Sequence, residues 1–278
     1  MELSTLAKEI REGTTIPYLG IGVFEGINDE AGNPMPYDGD SMILALNNGR
    51  AMPPRLMYEY TRAAMHIEQR RGRPYLEQQT EAIYARPFAM PETYAIINAL
   101  GAPYVVDTNR DGKLQELLAD RPHQLVQGKA RIIGDDNRFV VYAYHPDSKS
   151  YQAIDPDALD PSHPVLFKPM GCGQPEPGWI ISDADFVDWL TEAMGGYAIP
   201  PVLKNYRKGK KYLILGVGFS KDTERMVANE ITADLEGGYW LHSGELTKNE
   251  KKFVENHNLE VVDMPLADLL AGLKKEIG

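Results

Sequence analysis

Two short apolar stretches that run into glycines constrain this chain more than any other feature. The first is Thr15-Ile16-Pro17-Tyr18-Leu19 followed by Gly20, Gly22 and Gly26, and the second is Lys211-Tyr212-Leu213-Ile214-Leu215 followed by Gly216, Gly218 and Ser220. Each reads as a strand entering a turn. Glycine adopts positive φ and lets backbone approach a ligand or another backbone where a Cβ would intrude. Such strand-glycine units near opposite ends of one chain imply a single parallel sheet completed by its last strands. Gly20-Ile21-Gly22 lacks the third glycine of a dinucleotide fingerprint, and plain strand-end turns explain the same pattern.

A chain of 278 residues can bury a full core as one large domain, or as one domain with a small insertion. The formal net charge of −11 disfavours a nucleic-acid backbone as partner. No apolar run approaches the roughly 18 residues of a membrane span, and Met1-Glu2-Leu3-Ser4-Thr5 has no signal-peptide character, so the cytoplasm is the expected location. Cys172 is the only cysteine, which rules out an internal disulfide and a thiolate zinc cluster. The six histidines show no metal-ligand spacing.

Helical periodicity is expected over Ser4–Glu12 with Ser4 as cap, over residues 55–71, over Tyr75–Ala85 and behind Pro91. Residues 26–54 read as a long irregular segment, a lid or a surface loop, with one helical turn at Ser41–Leu46. Tyr104-Val105-Val106 is a strand leading into Asp107-Thr108-Asn109-Arg110-Asp111, and Lys113–Ala119 a short helix. Between 122 and 167, His123–Val126, Lys129–Ile133, Phe139–Tyr144 and Val165–Phe167 read as short strands of a β-rich insertion or edge extension. Helices follow from Asp183 to the Gly195-Gly196 stop, over Thr223–Leu235, over Lys248–Asn256 and after Pro265, alternating with strands at Tyr239–Leu241 and Leu259–Val262. This alternation predicts an α/β chain, 1–278, with a Rossmann-like, doubly wound, mainly parallel sheet.

From Asp107 onward the chain resembles the sirtuin-like family, in particular its bacterial branch without the zinc ribbon. The matching stretches are Tyr18-Leu19-Gly20-Ile21-Gly22, Val106 through Asp111, Phe167-Lys168-Pro169-Met170-Gly171, Ile181 through Phe186, and Leu215 through Asp222. The resemblance implies NAD⁺ binding and either protein deacylation or NAD⁺ hydrolysis. It places Gly20 and Gly22 at the pyrophosphate, Thr108 and Asn109 in the cofactor site, and Gly216, Gly218 and Ser220 near the adenosine half. Asn109 would contact the nicotinamide-side ribose or position water, and Asp111 would support the same loop; both stand as the implied catalytic pair.

The sequence departs from that family at telling places. Met170 occupies the position of the catalytic histidine, Phe24 that of an expected serine, and Arg110 and Asp107 replace a tyrosine and a threonine. Methionine transfers no proton, so ordinary deacetylation is disfavoured and NAD⁺ hydrolysis less so. Asp107 or Asp111 would supply negative field for it. His123 and His163 are substitute candidates, each more readily read as a surface or core-edge side chain. Cys172 as a nucleophile would need an activating partner that the sequence does not show. Arg50, Arg55 and Lys168 are the cations that would offset an acidic pocket. Two other readings stand beside the enzyme: a non-catalytic NAD⁺ or ADP-ribose sensor acting on a partner, and an oligomeric scaffold without ligand. Convergence of Asn109, Asp111 and Gly20 on one cleft favours a ligand, whereas Phe24 or Met170 filling that space favours the scaffold.

Overall fold

The computed structural model describes residues 1–132, 134 and 137–277. Strands β1 (Thr15–Leu19), β2 (Tyr104–Asp107), β3 (His123–Gly128), β4 (Phe139–His145), β5 (Ser150–Ile154) and β6 (Val165–Lys168) precede a small antiparallel hairpin, β7 (Gly171–Cys172) with β8 (Gly178–Trp179). Strands β9 (Lys211–Leu215), β10 (Gly237–Leu241) and β11 (Leu259–Val262) complete a nine-stranded sheet of order β11-β10-β9-β1-β2-β6-β3-β4-β5. Pairing is parallel from β11 through β3 and antiparallel only at β3–β4 and β4–β5. The α/β, mainly parallel, Rossmann-like architecture is therefore present.

Helices cover both faces, as residues of alternating direction along buried parallel strands require. Ile16, Tyr18, Val106, Tyr212 and Ile214 join one core with α8 (Asp183–Gly195), α9 (Pro201–Tyr206), α10 (Asp222–Ile231) and α11 (Lys248–Asn256). Leu19, Val105, Leu213 and Leu215 face the other core with α1 (Leu3–Arg11), α6 (Glu92–Leu100), α7 (Lys113–Leu117) and α12 (Leu266–Lys274). A third cluster joins α2 (Gly39–Leu46), α4 (Tyr60–Arg71) and α5 (Arg73–Tyr84) to Trp179 and Ile181 beside the β7–β8 hairpin.

Several elements differ from the sequence reading. Ser4 does not cap α1: Glu2 holds the N-cap position, and the Ser4 hydroxyl instead donates to the Glu2 carboxylate at 2.9 Å. The expected single turn at Ser41–Leu46 is an eight-residue helix whose start is fixed by a reciprocal Asp38–Ser41 capping box. The helix expected over 55–71 is broken into α3 (Pro54–Met57) and α4, because Glu59 is extended with φ −152°. That break lifts Tyr58 and Glu59 out of a helical face. Lys129–Ile132 carry no strand, and Ile133 of that expected strand lies outside the described residues. Val165–Lys168, read with the 122–167 segment, lies inside the main sheet between β2 and β3, while β4 and β5 extend its edge.

Candidate functional site

The sheet reverses its build direction at β1: β2 pairs on one side of it, and β9 returns much later on the other. In such sheets the crevice beyond the strands' carboxyl ends at that point is where ligands bind. Here the loops leaving β1, β2 and β9 are joined to one another. The Gly20 N–H donates to the Leu215 carbonyl at 2.9 Å, Gly22 N–H to the Gly216 carbonyl at 2.8 Å, and Thr108 N–H to the Leu19 carbonyl at 2.9 Å. Gly216 sits at φ +65°, and a Cβ on it would fall 2.6 Å from the Val23 nitrogen. A Cβ on Gly20 would fall 2.5 Å from the Gly216 oxygen, and one on Gly22 would fall 2.8 Å from its Cα. These glycines are thus required by the contact of the two loops. Gly20 and Gly22 already use their N–H groups within that contact.

The loops line a narrow inner cavity of about 80 Å³ and an adjoining outer lobe of about 400 Å³, of which the outer lobe is within the usual span of small-molecule sites. Gly20, Thr108, Asn109, Gly216 and Gly218 border the inner cavity, together with Met170, Tyr60 and Phe186. Gly22 and Ser220 border the outer lobe, which Gly216 and Gly218 also reach. Asp111 borders neither: it lines a separate cavity alongside Lys113 and Gln115.

Beneath the inner cavity lies a buried polar network. Lys168 and Asp107 form an ion pair of 2.6 Å with both side chains fully buried. Burial lifts the Asp107 carboxyl to about 6 against the pull of the Lys168 ammonium, with Asp111 adding to the rise. Burial also works against the charged Lys168, but Asp107 and Asp111 outweigh it and raise its basicity, so the pair is ionised at neutral pH. The Asn109 amide nitrogen donates to the Gly20 carbonyl (3.1 Å), the Tyr94 hydroxyl (3.0 Å) and Asp107 (2.9 Å). Tyr94 lies 3.1 Å from an Asp111 oxygen, whose partner oxygen accepts from the Lys113 N–H at 2.8 Å. Asn109 thus engages its nitrogen while Oδ1 has no donor among the described residues, and the residue, 2% exposed, borders the inner cavity.

The other candidates lie elsewhere. Lys168 faces Asp107 rather than the cleft, and Arg50 and Arg55 are exposed and border neither lobe. His123 is buried on β3 against the Tyr151 hydroxyl at 2.6 Å, and burial lowers its basicity. His163 is half-exposed beside Asp160. Burial pushes the Cys172 thiol up to about 11, which makes it a poor nucleophile at neutral pH. Phe24 does not enter the cavity; it is fully buried, packing edge-on against Phe88 and Tyr94. Met170 forms part of the cavity wall. Arg110 is held by the Ile180 carbonyl and the Tyr60 hydroxyl.

Sequence reasoning missed one group of the site. Glu224, on the first turn of α10, borders both lobes, and its Oε2 is sealed from water with no hydrogen-bond partner. Burial raises its carboxyl to about 7, and the neighbouring Glu59 adds to the rise. Its position three residues into a helix after the glycine loop was visible in the sequence; its enclosure was not.

Residues 103–262, more than half of the chain and running from β2 through β11, match the family model described as a SIR2-like domain. The chain belongs to the SIR2-like family. Its single cysteine leaves no ligand set for a zinc ribbon. No curated protein matches the chain. Among the described residues no helix is long and apolar enough to cross a membrane.

Proposed function

We propose that this SIR2-like protein, acting as one domain in the cytoplasm, binds NAD⁺ across the two-lobed cleft and cleaves it to nicotinamide and ADP-ribose. The observation that carries this reading is the clamped Asn109 amide. Three acceptors share the two hydrogens of its nitrogen, which leaves Oδ1 as the amide's acceptor for a ribose hydroxyl or an attacking water. Gly20 and Gly22 contribute to the pyrophosphate site by letting the β1 and β9 loops close against each other beneath it, since their N–H groups are engaged and Gly216 fills the space a Cβ would take. Gly216, Gly218, Thr108 and Ser220 complete the dinucleotide wall, and Lys221 stands at the outer lobe as a cation for the phosphates. Asp111, bonded to Tyr94 and Lys113, acts as a positioning residue for the Asn109 loop.

A deacetylase reading has less support, because Met170 stands where the family's histidine would act. The same methionine favours a second reading, in which the protein holds NAD⁺ or ADP-ribose without turnover and signals occupancy to a protein partner or a second copy of itself. Asn109→Ala separates the two. If the chain is a hydrolase, the variant binds ADP-ribose yet releases nicotinamide at least about 100-fold more slowly. Nicotinamide release at the wild-type rate would remove Asn109 from the reaction centre, and no release from the wild type would leave the sensor.

A further inference from the structure

The inner cavity contains an acid that the reading above leaves without a task. Among the described residues lining it, Glu224 is the one carboxylate, and its Oε2 is both sealed and unpartnered. The Lys221 backbone N–H favours the ionised carboxyl, yet an oxygen sealed without a donor is costly unless the group stays protonated or meets a cation.

The cations nearby are engaged elsewhere. Lys221 Nζ stands 4.0 Å from the centre of the Tyr58 ring, and Arg225 is held by the Phe219 carbonyl and the Asp222 carboxylate. The titratable groups facing Glu224 are Glu59, Lys221 and Arg225, with Tyr18, Tyr60 and Arg110 on the inner cavity wall and Asp38 and Asp40 on the outer lobe; the Arg110 guanidinium is turned to the Ile180 carbonyl and the Tyr60 hydroxyl. Gly218 keeps the approach open: a Cβ there would sit 3.4 Å from Oε2. Tyr60 and Phe186, packed edge to face at 6.1 Å, give the same cavity an aromatic side.

We propose that Glu224 is a cation-reading subsite, whose carboxylate faces the positively charged pyridinium end of NAD⁺ and sets NAD⁺ apart from ADP-ribose. This rests on the NAD⁺ reading and adds to it a residue and a direction for the ligand. The pyridinium ring lies in the inner cavity between Glu224 and the aromatic pair, and the adenosine half extends into the outer lobe toward Ser220. ADP-ribose carries no positive ring and gains nothing from the carboxylate. Because Glu224 must ionise to meet the ring, binding NAD⁺ releases a proton around neutral pH, and its affinity rises as pH increases through that range.

The test is calorimetric titration of wild type and Glu224→Gln with a hydrolysis-resistant carbocyclic NAD⁺ analogue and with ADP-ribose, at pH 6 and pH 8. In the wild type the analogue should bind several-fold more tightly at pH 8, with ADP-ribose unaffected by ionisation of Glu224. The near-isosteric variant should weaken the analogue about tenfold at pH 8, abolish its pH dependence and leave ADP-ribose within about twofold. Retained ADP-ribose binding also reports that the variant is folded. Equal effects on both ligands, or none on either, would overturn the assignment while leaving the NAD⁺ reading in place. A wild type that binds neither ligand would overturn both.

Discussion

Gly22 donates its N–H to the carbonyl of Gly216, 2.8 Å away, so the loops after β1 and β9 form one unit although nearly two hundred residues separate them. Gly216 at φ +65° packs its α-carbon against backbone on the opposite loop, leaving no room for a side chain. The floor of the cleft is therefore set by glycine packing before any ligand arrives.

Gly216→Ala should lower stability by about 2–4 kcal/mol, because the new methyl meets fixed backbone in a left-handed conformation. Gly218→Ala meets only the end of the Glu224 side chain and should leave the urea midpoint nearly unchanged while weakening ligand binding. Urea unfolding of the two variants checks the contrast. Equal stability losses would contradict it.

The ion pair beneath the cavity predicts a pH-dependent defect. Lys168→Met leaves Asp107 buried without its cation and should cost about 3–5 kcal/mol at pH 8, as is typical when one partner of a buried pair is removed. The loss should shrink toward pH 5, where Asp107 takes up a proton and no longer needs a counter-charge. A defect of the same size at both pH values would mean that Asp107 is not the group left stranded.

Which of these features could be read from the sequence follows from how local they are. The two strand-glycine units, the Gly196 stop of α8 and the bounds of α11 were legible because they depend on neighbouring residues. The strand order was not, since β6 inserts between β2 and β3 through pairings with no local signature. Ser150–Ile154 was missed as a strand because it is short, largely solvent-facing and weakly apolar, with only Tyr151 and Ile154 partly buried. Lys168 looked like a pocket cation, but its carboxylate partner is 61 residues away and buried with it. The break at Glu59 and the enclosure of Glu224 arise from tertiary packing around the cleft. Asp111 lies two residues from Asn109 yet borders a different cavity, a divergence that the loop's conformation creates and its sequence does not announce.

Raised carboxyl groups give the wild type a characteristic pH profile. Glu224 ionises at about 7 in the folded chain against an ordinary 4.5, and Asp107 at about 6 against 3.8. In both cases the folded state holds the proton more tightly than the unfolded one, so the stabilisation is full at low pH and lost as pH rises through the folded value. The urea midpoint should therefore fall between pH 5 and pH 8. Glu224→Gln should flatten the upper part of that slope and leave the Asp107 part intact. A wild-type midpoint that rises with pH over this interval would contradict the assignment of both groups.

The most direct test of the central claim is calorimetric titration of the wild-type protein with NAD⁺ and with ADP-ribose, with nicotinamide assayed in the same samples. A cleft built as described binds both ligands and releases nicotinamide from NAD⁺. Binding without release would move the protein to the sensor reading, and binding of neither would contradict a nucleotide site at the ends of β1, β2 and β9.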